Sequence, residues 1–332
     1  MEFWYQTKFK DKFLTLLLWP LACLFAGITA LRRKLFQKHI FDSYISPKPV
    51  VVVGNLSVGG NGKTPVTIWL VQYLQLQGIK SGVISRGYGS HSNYYPRLVE
   101  INDNPIDVGD EPLLIKQRTN VPVCIGANRQ QSIELLLKEH DCDVIISDDG
   151  LQHYQLQRDF EIVVVDGKRG FGNGKLLPAG PLREGLQRLE DVDLVIENGN
   201  SGNYSDTLMQ LEAKEAVNIL TAERIPLMML ARDPVNAIAG IGYPQRFFSM
   251  LENLGFTLSH TQAFADHQTF THQSFSAFSS SMPLLMTEKD AVKCHAFAKE
   301  NWWYVPVEAE IDGGKLDAFL TALLHKMRNE NE

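Results

Sequence analysis

The sequence predicts an α/β fold in which helices cover both faces of a mainly parallel β-sheet. A run of apolar residues leads directly into a glycine-rich loop and a helix-like segment at 50–74. Short β-rich segments then alternate with helix-like ones between residues 79 and 196. A second, shorter alternation follows a polar and glycine-rich stretch at 197–206, which is typical of a boundary. We therefore expect a larger domain that carries the glycine-rich loop and a second, smaller α/β domain.

An apolar segment with basic flanks precedes the sheet. No charged residue occurs from Phe13 to Leu31, whereas lysines and arginines stand on both sides of this run. A cleaved export signal, a membrane-spanning helix, a helix in the membrane interface and a helix buried against the body are all open interpretations. No small-residue cleavage site follows the run and Pro20 interrupts it, so an interfacial or shallowly inserted helix is favoured. We assign residues 1–45 to this membrane-associated helical segment.

The first predicted strand leads into a phosphate-binding loop. Residues 50–53 are four valines, and a helix-like segment at 65–74 follows the loop. In such a loop, backbone N–H groups face the phosphate, a lysine neutralises it and a hydroxyl binds Mg²⁺. A serine replaces the first glycine of the usual pattern, whereas three glycines remain. We predict a P-loop NTPase-like nucleotide site formed by Ser57, Val58, Gly59, Gly60, Asn61, Gly62, Lys63 and Thr64.

The same alternation predicts the remaining elements. In the larger domain, strands are expected at 79–85, 121–125, 143–147, 161–165 and 192–196, and helices at 110–118 and 129–140. In the smaller domain, strands are expected at 235–241, 257–264, 284–286 and 303–307, and helices at 244–254 and 288–295. Residues 46–207 are assigned to the core domain and 208–332 to the smaller one. Parallel sheets bind ligands at the carboxyl ends of their strands, so we expect functional residues just after each strand.

Two aspartates stand at such a position. Asp148 and Asp149 follow the predicted strand at 143–147, where an enzyme with a phosphate loop holds Mg²⁺ opposite the hydroxyl of Thr64. A solvated turn would also place two aspartates there. The spacing leaves open which of the two carboxylates lies nearer the ion.

An enzyme that transfers phosphate to an alcohol also needs a proton acceptor. Asp110 and Glu111 begin the predicted helix at 110–118, where acidic side chains also occur simply as a cap or as first-turn charges. His267 lies in a loop after the predicted strand at 257–264, and a single histidine in such a place is often structural. The residues alone leave both interpretations open.

Two loops at the expected ligand-binding edge point to a charged substrate. Arg86 and Tyr88 flank a glycine directly after the strand at 79–85. A longer loop at 168–184, rich in glycine, proline and basic residues, includes Arg183; we call it the basic loop. Long ordered loops at this end of a sheet are usually functional, and arginines suit phosphate groups. Both loops are therefore predicted to contact a phosphate-bearing substrate.

Charge and cysteine content restrict the kind of partner. The 332-residue chain carries a formal net charge of −6, yet residues 1–49 contain eight Lys/Arg against three Asp/Glu. A basic end on an acidic body argues against general nucleic-acid binding and indicates local contact with an anionic surface. The four cysteines are scattered without metal-type spacing, which indicates buried thiols in a reducing compartment, where ATP is available.

The motifs, in their order along the chain, resemble those of the tetraacyldisaccharide 4'-kinases of lipid A biosynthesis. The resemblance covers nearly the whole chain, including the apolar N-terminal segment, and Ser57 in the phosphate loop is typical of that family. The segments that carry it are 54–65, 85–89, 109–112, 148–153, 177–184, 239–242, 244–248, 266–267 and 287–293.

The resemblance implies a kinase that uses ATP and Mg²⁺ to phosphorylate the 4'-hydroxyl of a lipid A disaccharide 1-phosphate. It also implies a location at the cytoplasmic face of the inner membrane, monotopic or with a single N-terminal helix, and a smaller domain that closes over the cleft. Carried over residue by residue, Asp110 resembles the general base and His267 its orienting partner. The metal candidates are Thr64, Asp148, Asp149 and Glu111. The substrate candidates are Arg86, Tyr88, His153 and Arg183.

Two other classes of protein share a phosphate-binding loop: a GTPase or ATPase switch, and an ATP-dependent partition protein at the membrane. A guanine-specific switch would carry an Asn-Lys-x-Asp motif at a strand end, and none occurs in a suitable place. A switch also has no use for a membrane helix joined to a basic substrate loop. ATP turnover that depends on a lipid-sugar acceptor would distinguish the kinase from both classes.

Overall fold

The computed structural model describes residues 2–5, 9–199, 201–279 and 281–329. Its strands form two sheets, one of nine strands and one of six among the described residues. In spatial order the larger sheet consists of β15 (Glu308–Asp312), β8 (Leu208–Glu212), β7 (Leu194–Asn198), β6 (Phe160–Asp166), β1 (Val50–Gly54), β5 (Val144–Asp148), β2 (Ser81–Ser85), β4 (Val123–Ile125) and β3 (Arg97–Leu98).

β1 lies at the centre of the larger sheet, between β5 and β6, and runs parallel to both. Its valines are buried, as expected for a strand with helices on both faces. The neighbouring pairs out to β4 and β8 are also parallel, whereas β3 and β15 pair antiparallel at the two edges. The predicted mainly parallel sheet is thus confirmed.

Helices cover both faces of this sheet. One face packs against α2 (Lys63–Leu76), α4 (Asp110–Thr119) and α8 (Leu316–Asn329) in a core that includes Val66, Ile115 and Phe319. The other face packs against α5 (Arg129–Glu139), whose Ile133 and Leu136 are fully buried. A short helix, α3 (Pro105–Val108), precedes α4.

The smaller sheet combines a parallel half with an antiparallel hairpin. In spatial order the strands are β10 (Arg224–Pro226), β9 (Glu215–Asn218), β14 (Trp302–Val305), β13 (Leu284–Thr287), β11 (Val235–Ala239) and β12 (Leu258–Ala263). Strands β11 to β14 are parallel, and β9 and β10 pair antiparallel beside them. The helices of this part are α6 (Pro244–Asn253) and α7 (Glu288–Ala291). Short 3-10 helices occupy Glu2–Trp4, Leu186–Asp191, Leu227–Arg232, His272–Phe275 and His295–Phe297.

The segment after residue 207, predicted to form the smaller domain, contributes strands to both sheets. β8 and β15 pair with each other at the edge of the larger sheet, and α8 packs on its core. Met209, Leu323 and Met327 are almost completely buried there. Burial of these apolar side chains therefore stabilises the packing of β8 and α8 on the larger sheet. The helix predicted at 288–295 is also shorter than expected, since α7 ends at Ala291.

The N-terminal helix α1 (Phe9–Gln37) leaves most of its apolar side chains exposed. Among the described residues it is the one helix long and apolar enough to cross a membrane, and an 18-residue window of it has a mean hydropathy of 2.1 and is 6% buried. The interpretation as a helix buried against the body is therefore wrong. Arg33 pairs with Asp191 at 2.5 Å near its end, and Trp4 Nε1 donates to the carbonyl of Pro178 just before its start. These contacts join the apolar helix to the basic loop and its surroundings.

Candidate active site

The phosphate loop, residues 57–64, connects the central strand β1 to α2. Gly59 and Gly62 have φ of 108° and 98°, a backbone conformation that residues with a Cβ rarely adopt. Gly62 is the N-cap of α2 and gives the first turn no side-chain cap, so the N–H groups of that turn are left for a ligand. Together with the positive end of the helix dipole, they form a site for a phosphate group.

Side chains around the loop hold it in this shape. Asn61 Nδ2 donates to Ser57 Oγ at 2.9 Å, which gives a structural reason for a serine in place of the usual glycine. Arg169, from the basic loop, donates to the carbonyl of Gly60 at 2.6 Å and pairs with Asp166 at 2.7 Å. The sequence analysis assigns Arg169 no individual role, because an arginine in a long basic loop carries no local signal of its partner.

Lys63 and Arg183 converge on Asp149 beside the phosphate loop. Lys63 Nζ lies 3.5 Å, and a guanidinium nitrogen of Arg183 3.1 Å, from Asp149 Oδ1. Burial raises the pKa of this carboxyl, but the charges of Lys63 and Arg183 outweigh burial and the pKa is lowered. Asp149 is therefore ionised, and its negative charge is balanced by Lys63 and Arg183, which it holds next to the loop.

Asp148, at the end of β5, has a different environment. It is 1% exposed, and Thr67 Oγ1 donates to its Oδ1 at 3.1 Å. Burial, assisted by the charge of Glu111, raises the pKa of Asp148 to about 7. A buried carboxylate in this setting is stabilised by a nearby cation.

This environment fits Mg²⁺. Over the described ranges, no group of three His, Cys, Asp or Glu side chains is arranged to hold an ion. Mg²⁺ does not need such a group, since it keeps several waters and is usually held by one or two carboxylates and the phosphates of a substrate. Asp148 at the end of β5 and Thr64 in the first turn of α2 are a carboxylate and a hydroxyl of that kind.

Asp110 and His267 meet across the cleft between the two sheets. Asp110 is the first residue of α4, and His267 lies in the loop after β12. His267 Nδ1 lies 3.0 Å from Asp110 Oδ1. Burial opposes ionisation of Asp110, but its hydrogen bond with His267 and the charge of Lys289 hold its pKa at about 2. Burial likewise opposes protonation of His267, yet the bond to Asp110 raises the pKa of the imidazole.

The remaining substrate candidates fall into separate places. The ring of Tyr88 packs edge-on against His267, with centroids 5.1 Å apart. Arg183 joins the Lys63 and Asp149 cluster, as described above. His153 lies in the turn after β5, where burial and the charges of neighbouring arginines lower its pKa to about 4. Arg86 is exposed, and its charge contributes to lowering the pKa of His153.

Lys289, from α7, is a buried cation to which the sequence assigned no role. Its Nζ lies 2.8 Å from Glu111 Oε1 and 3.0 Å from Asp266 Oδ1. The same atom lies 3.8 Å from Asp110 Oδ2 and 3.5 Å from His267 Nε2. Burial lowers the pKa of the lysine, but the surrounding carboxylates, Glu111 first, raise it well above its usual range. A lysine between two acidic residues in a short helix looks like a solvated surface residue, so the pattern gave no signal.

The cleft contains two adjoining cavities. One, of about 720 Å³, is lined by the phosphate loop, Glu111, Lys289 and apolar side chains of α6, and is large enough for a nucleotide. The other, of about 1020 Å³, is lined by Tyr88, Asp110 and His267. The first two residues of α4 therefore face different cavities.

The smaller sheet lies directly over the phosphate loop. Gly60 and Gly242 approach so closely that a Cβ at Gly242 would clash with the backbone of Gly60. Arg246, in the first turn of α6, pairs with buried Asp166 at 2.6 Å. Gly242 thus permits a contact between the sheets that a side chain at this position would prevent.

Curated proteins match this chain along its length. A model of the family described as tetraacyldisaccharide-1-P 4'-kinase (LpxK) matches residues 14–325. A protein named tetraacyldisaccharide 4'-kinase from Histophilus somni (strain 2336) is 60% identical over 330 residues, which are 99% of this chain and 100% of that protein. One of the same name from Pasteurella multocida (strain Pm70) is 61% identical over 321 residues, or 96% of this chain and 97% of that protein.

A solved structure matches the fold. The crystal structure of LpxK from Aquifex aeolicus in complex with ATP superimposes with a TM-score of 0.76 and 26% sequence identity. The match covers 95% of this chain and 99% of that chain, so it includes both sheets.

Proposed function

The chain belongs to the tetraacyldisaccharide-1-P 4'-kinase family, and on that premise we propose how its residues transfer the γ-phosphate of ATP to the 4'-hydroxyl of a tetraacyldisaccharide 1-phosphate. This reaction is a kinase step of lipid A biosynthesis. The observation that carries the proposed mechanism is the position of Asp110. Its carboxylate lines the cavity next to the nucleotide cavity, and His267 orients it.

ATP occupies the cavity at the phosphate loop in this proposal. The backbone N–H groups at the start of α2 bind the phosphates, and Lys63 neutralises the β- and γ-phosphate charge. Lys63 and Arg183 already lie beside the loop, where their charges can stabilise the transferring phosphoryl group. Apolar residues of α6 form the far wall, with Phe247 and Met250 among them.

The acceptor hydroxyl approaches Asp110 from the second cavity. Asp110 Oδ1 accepts hydrogen bonds from His267 and from the backbone N–H of Glu111, whereas Oδ2 is buried without a hydrogen-bond partner among the described residues. The oxygen of the 4'-hydroxyl forms a bond to the γ-phosphorus, the bond from that phosphorus to the β–γ bridging oxygen breaks, and ADP leaves. The hydroxyl proton passes to the carboxylate of Asp110. The transition state of such transfers is loose, so the acceptor hydroxyl loses its proton late in the reaction. A carboxylate with a low pKa is a sufficiently strong base for that proton.

Mg²⁺ is expected at the ends of β5 and the phosphate loop. Asp148 and the Thr64 hydroxyl would hold it, with Asp149 next to them. When bound, the ion neutralises phosphate charge and aligns the β- and γ-phosphates. Asp148 is the stronger candidate of the two aspartates, because Asp149 is paired with Lys63 and Arg183. Glu111 is the weaker candidate, because its carboxylate is paired with Lys289.

We place the enzyme at the cytoplasmic face of the inner membrane, where ATP and lipid precursors are both available. The exposed apolar side chains of α1, such as Leu16, Leu17 and Leu24, would enter the lipid interface. Residues before and at the end of α1 contact the basic loop and its surroundings, which supports a nucleotide site close to the membrane surface. The two sheets then act as a core and a smaller closing domain.

Transfer of labelled phosphate from ATP to a disaccharide 1-phosphate lipid tests the proposal. The wild-type enzyme should form the labelled lipid, and Asp110→Asn should lose most of this activity while it still binds ATP. Asp107→Asn, a change in the short helix just before α4, is the matched control. ATP hydrolysis at an unchanged rate without acceptor would instead support the switch or partition class.

A further inference from the structure

The positive charge of Lys289, from the part of the chain beside the smaller sheet, contacts negative charges of the larger sheet's α4. Lys289 belongs to α7 beside the smaller sheet, whereas Asp110 and Glu111 open α4 of the larger one. Its Nζ lies within 4 Å of the carboxylates of Glu111, Asp266 and Asp110. The lysine side chain is 13% exposed, so this cluster is largely withdrawn from water.

The carboxylates alone would oppose closure of the cleft. Asp266 belongs to the loop that carries His267, and it faces Glu111 and Asp110 across the cleft. Like charges at such distances repel strongly where water is scarce, because the effective dielectric constant is lower than that of water. A cation between them is therefore required to hold the His267 loop against α4.

We propose that Lys289 is a positioning residue for phosphate transfer: it neutralises the carboxylates that face each other across the cleft and holds His267 against Asp110. The 3.5 Å contact between Lys289 Nζ and His267 Nε2 adds a second effect. In the neutral ring, Nε2 is the acceptor of this contact, because an ammonium only donates, and the ring hydrogen is then on Nδ1, from which it is donated to Asp110. Lys289 thereby favours the tautomer that orients the carboxylate. The inference rests on the proposed role of Asp110.

Steady-state phosphate transfer by the full-length enzyme tests this role. Lys289→Met should lower kcat about tenfold or more, because a small displacement of a positioned group near the chemistry costs up to about 10²-fold. KM for ATP should change by about threefold or less, because the ammonium of Lys289, although the residue lines the nucleotide cavity, is already paired with Glu111 and Asp266. Lys289→Arg should keep most of kcat, because the charge is retained.

Removal of the negative charge of Asp266 gives a second test. If Lys289 were merely structural, this removal would not restore kcat to the Lys289→Met variant. In the Lys289→Met background, Asp266→Asn should recover part of the lost kcat, because it relieves the repulsion that the lysine had neutralised. Should Lys289→Met fail to fold, a folded and active double variant still supports the inference, and a double variant that stays unfolded or inactive overturns it. Wild-type kcat in Lys289→Met also overturns it.

Two controls separate this inference from the proposed mechanism. Lys326→Met removes a cation from its 3.2 Å pair with Asp159, neither of which lines either cavity, and should leave kcat near the wild-type value. Asp110→Asn is measured in parallel. Wild-type kcat in Asp110→Asn would mean that the proposed base is wrong. A large loss in Asp110→Asn together with none in Lys289→Met would reject the role of Lys289 alone.

Discussion

His267 and Asp110 belong to different sheets, yet their side chains meet, with Nδ1 of the imidazole 3.0 Å from Oδ1 of the carboxylate. His267 has a φ of 59°, a conformation uncommon for residues other than glycine, and the loop that holds it follows β12. The ring reaches Asp110 only because the smaller sheet lies over α4. The pair therefore joins the larger sheet to the smaller one.

A double-mutant cycle on kcat tests whether the pair acts as a unit. Asp110→Asn should lower kcat by about 10²–10⁴-fold with little change in nucleotide affinity, because the carboxylate acts on the acceptor hydroxyl. His267→Ala should act in the same step. The double variant should then be far less impaired than the product of the single losses.

His260→Ala is the matched control for this cycle, since His260 is an exposed histidine on β12 of the same sheet. It should leave kcat unchanged. Multiplicative losses in the Asp110 and His267 variants, measured with saturating lipid acceptor, would show that the contact is structural and not catalytic.

Lys63→Ala should abolish most of the activity and leave the fold intact, because the lysine neutralises phosphate charge in the transition state. Circular dichroism and kcat measure the two parts. Lys80→Ala is the control, since Lys80 is an exposed lysine paired with Asp141 away from the cleft. More than about a tenth of wild-type kcat in Lys63→Ala would mean a loss below about 1.4 kcal/mol and would contradict the phosphate-loop assignment.

Arg169→Lys should raise KM for ATP about tenfold or more. The substitution removes the guanidinium that donates to the carbonyl of Gly60, and hydrogen bonds to charged groups contribute about 1.5–3 kcal/mol. Arg158→Lys is a close control. Arg158 also binds loop carbonyls, those of Leu151 and His153, and its side chain is 13% exposed, like that of Arg169. An equal rise in KM for both variants would mean that the effect is general destabilisation.

Polar substitutions on α1 should weaken membrane binding. Leu17→Gln combined with Leu24→Gln should reduce partition onto anionic lipid vesicles by about tenfold or more, because burial of a leucine contributes about 1.5–3 kcal/mol. Deletion of residues 1–34 should have a larger effect and raise KM for the lipid acceptor more than KM for ATP. Leu76→Gln, at a position 85% exposed on α2, should bind like the wild type. Full sedimentation of the deletion variant with membranes would place the anchor elsewhere.

His153 should make the protein less stable in acid. Burial and the charges of Arg129 and Arg158 lower the pKa of its imidazole from 6.5 to about 4. Between these values the unfolded chain binds a proton that the folded protein does not, so the contribution is present above pH 6.5 and is lost as pH falls towards 4. His153→Gln should remove this loss, which is up to about 1 kcal/mol because water screens a half-buried imidazole.

Chemical denaturation at about pH 7 and about pH 5 measures this effect through the free energy of unfolding. The stability lost by the wild type between the two pH values should exceed that lost by His153→Gln. Equal losses would show that the imidazole of His153 takes up a proton as readily in the folded protein as in the unfolded chain.

The sequence by itself determined the features that depend on neighbours along the chain. The valines of β1 and the glycines that follow predict a strand, a phosphate loop and a helix, because each step follows from the conformational preferences of adjacent residues. The apolar run from Phe13 to Leu31 predicts a long helix that does not need the body of the protein to cover it. The ordered motifs were sufficient to identify the family.

Only the tertiary structure decided which distant groups meet. Asp110 and His267 are 157 positions apart, and their contact depends on how one sheet lies over the other. The same packing buries Lys289 among carboxylates and brings Arg169 to the carbonyl of Gly60. It also places β15 and α8, which come last in the chain, against the larger sheet. No local pattern contains this information, because burial and charge pairing are properties of the packed sheets and not of the residues that adjoin each other in the chain.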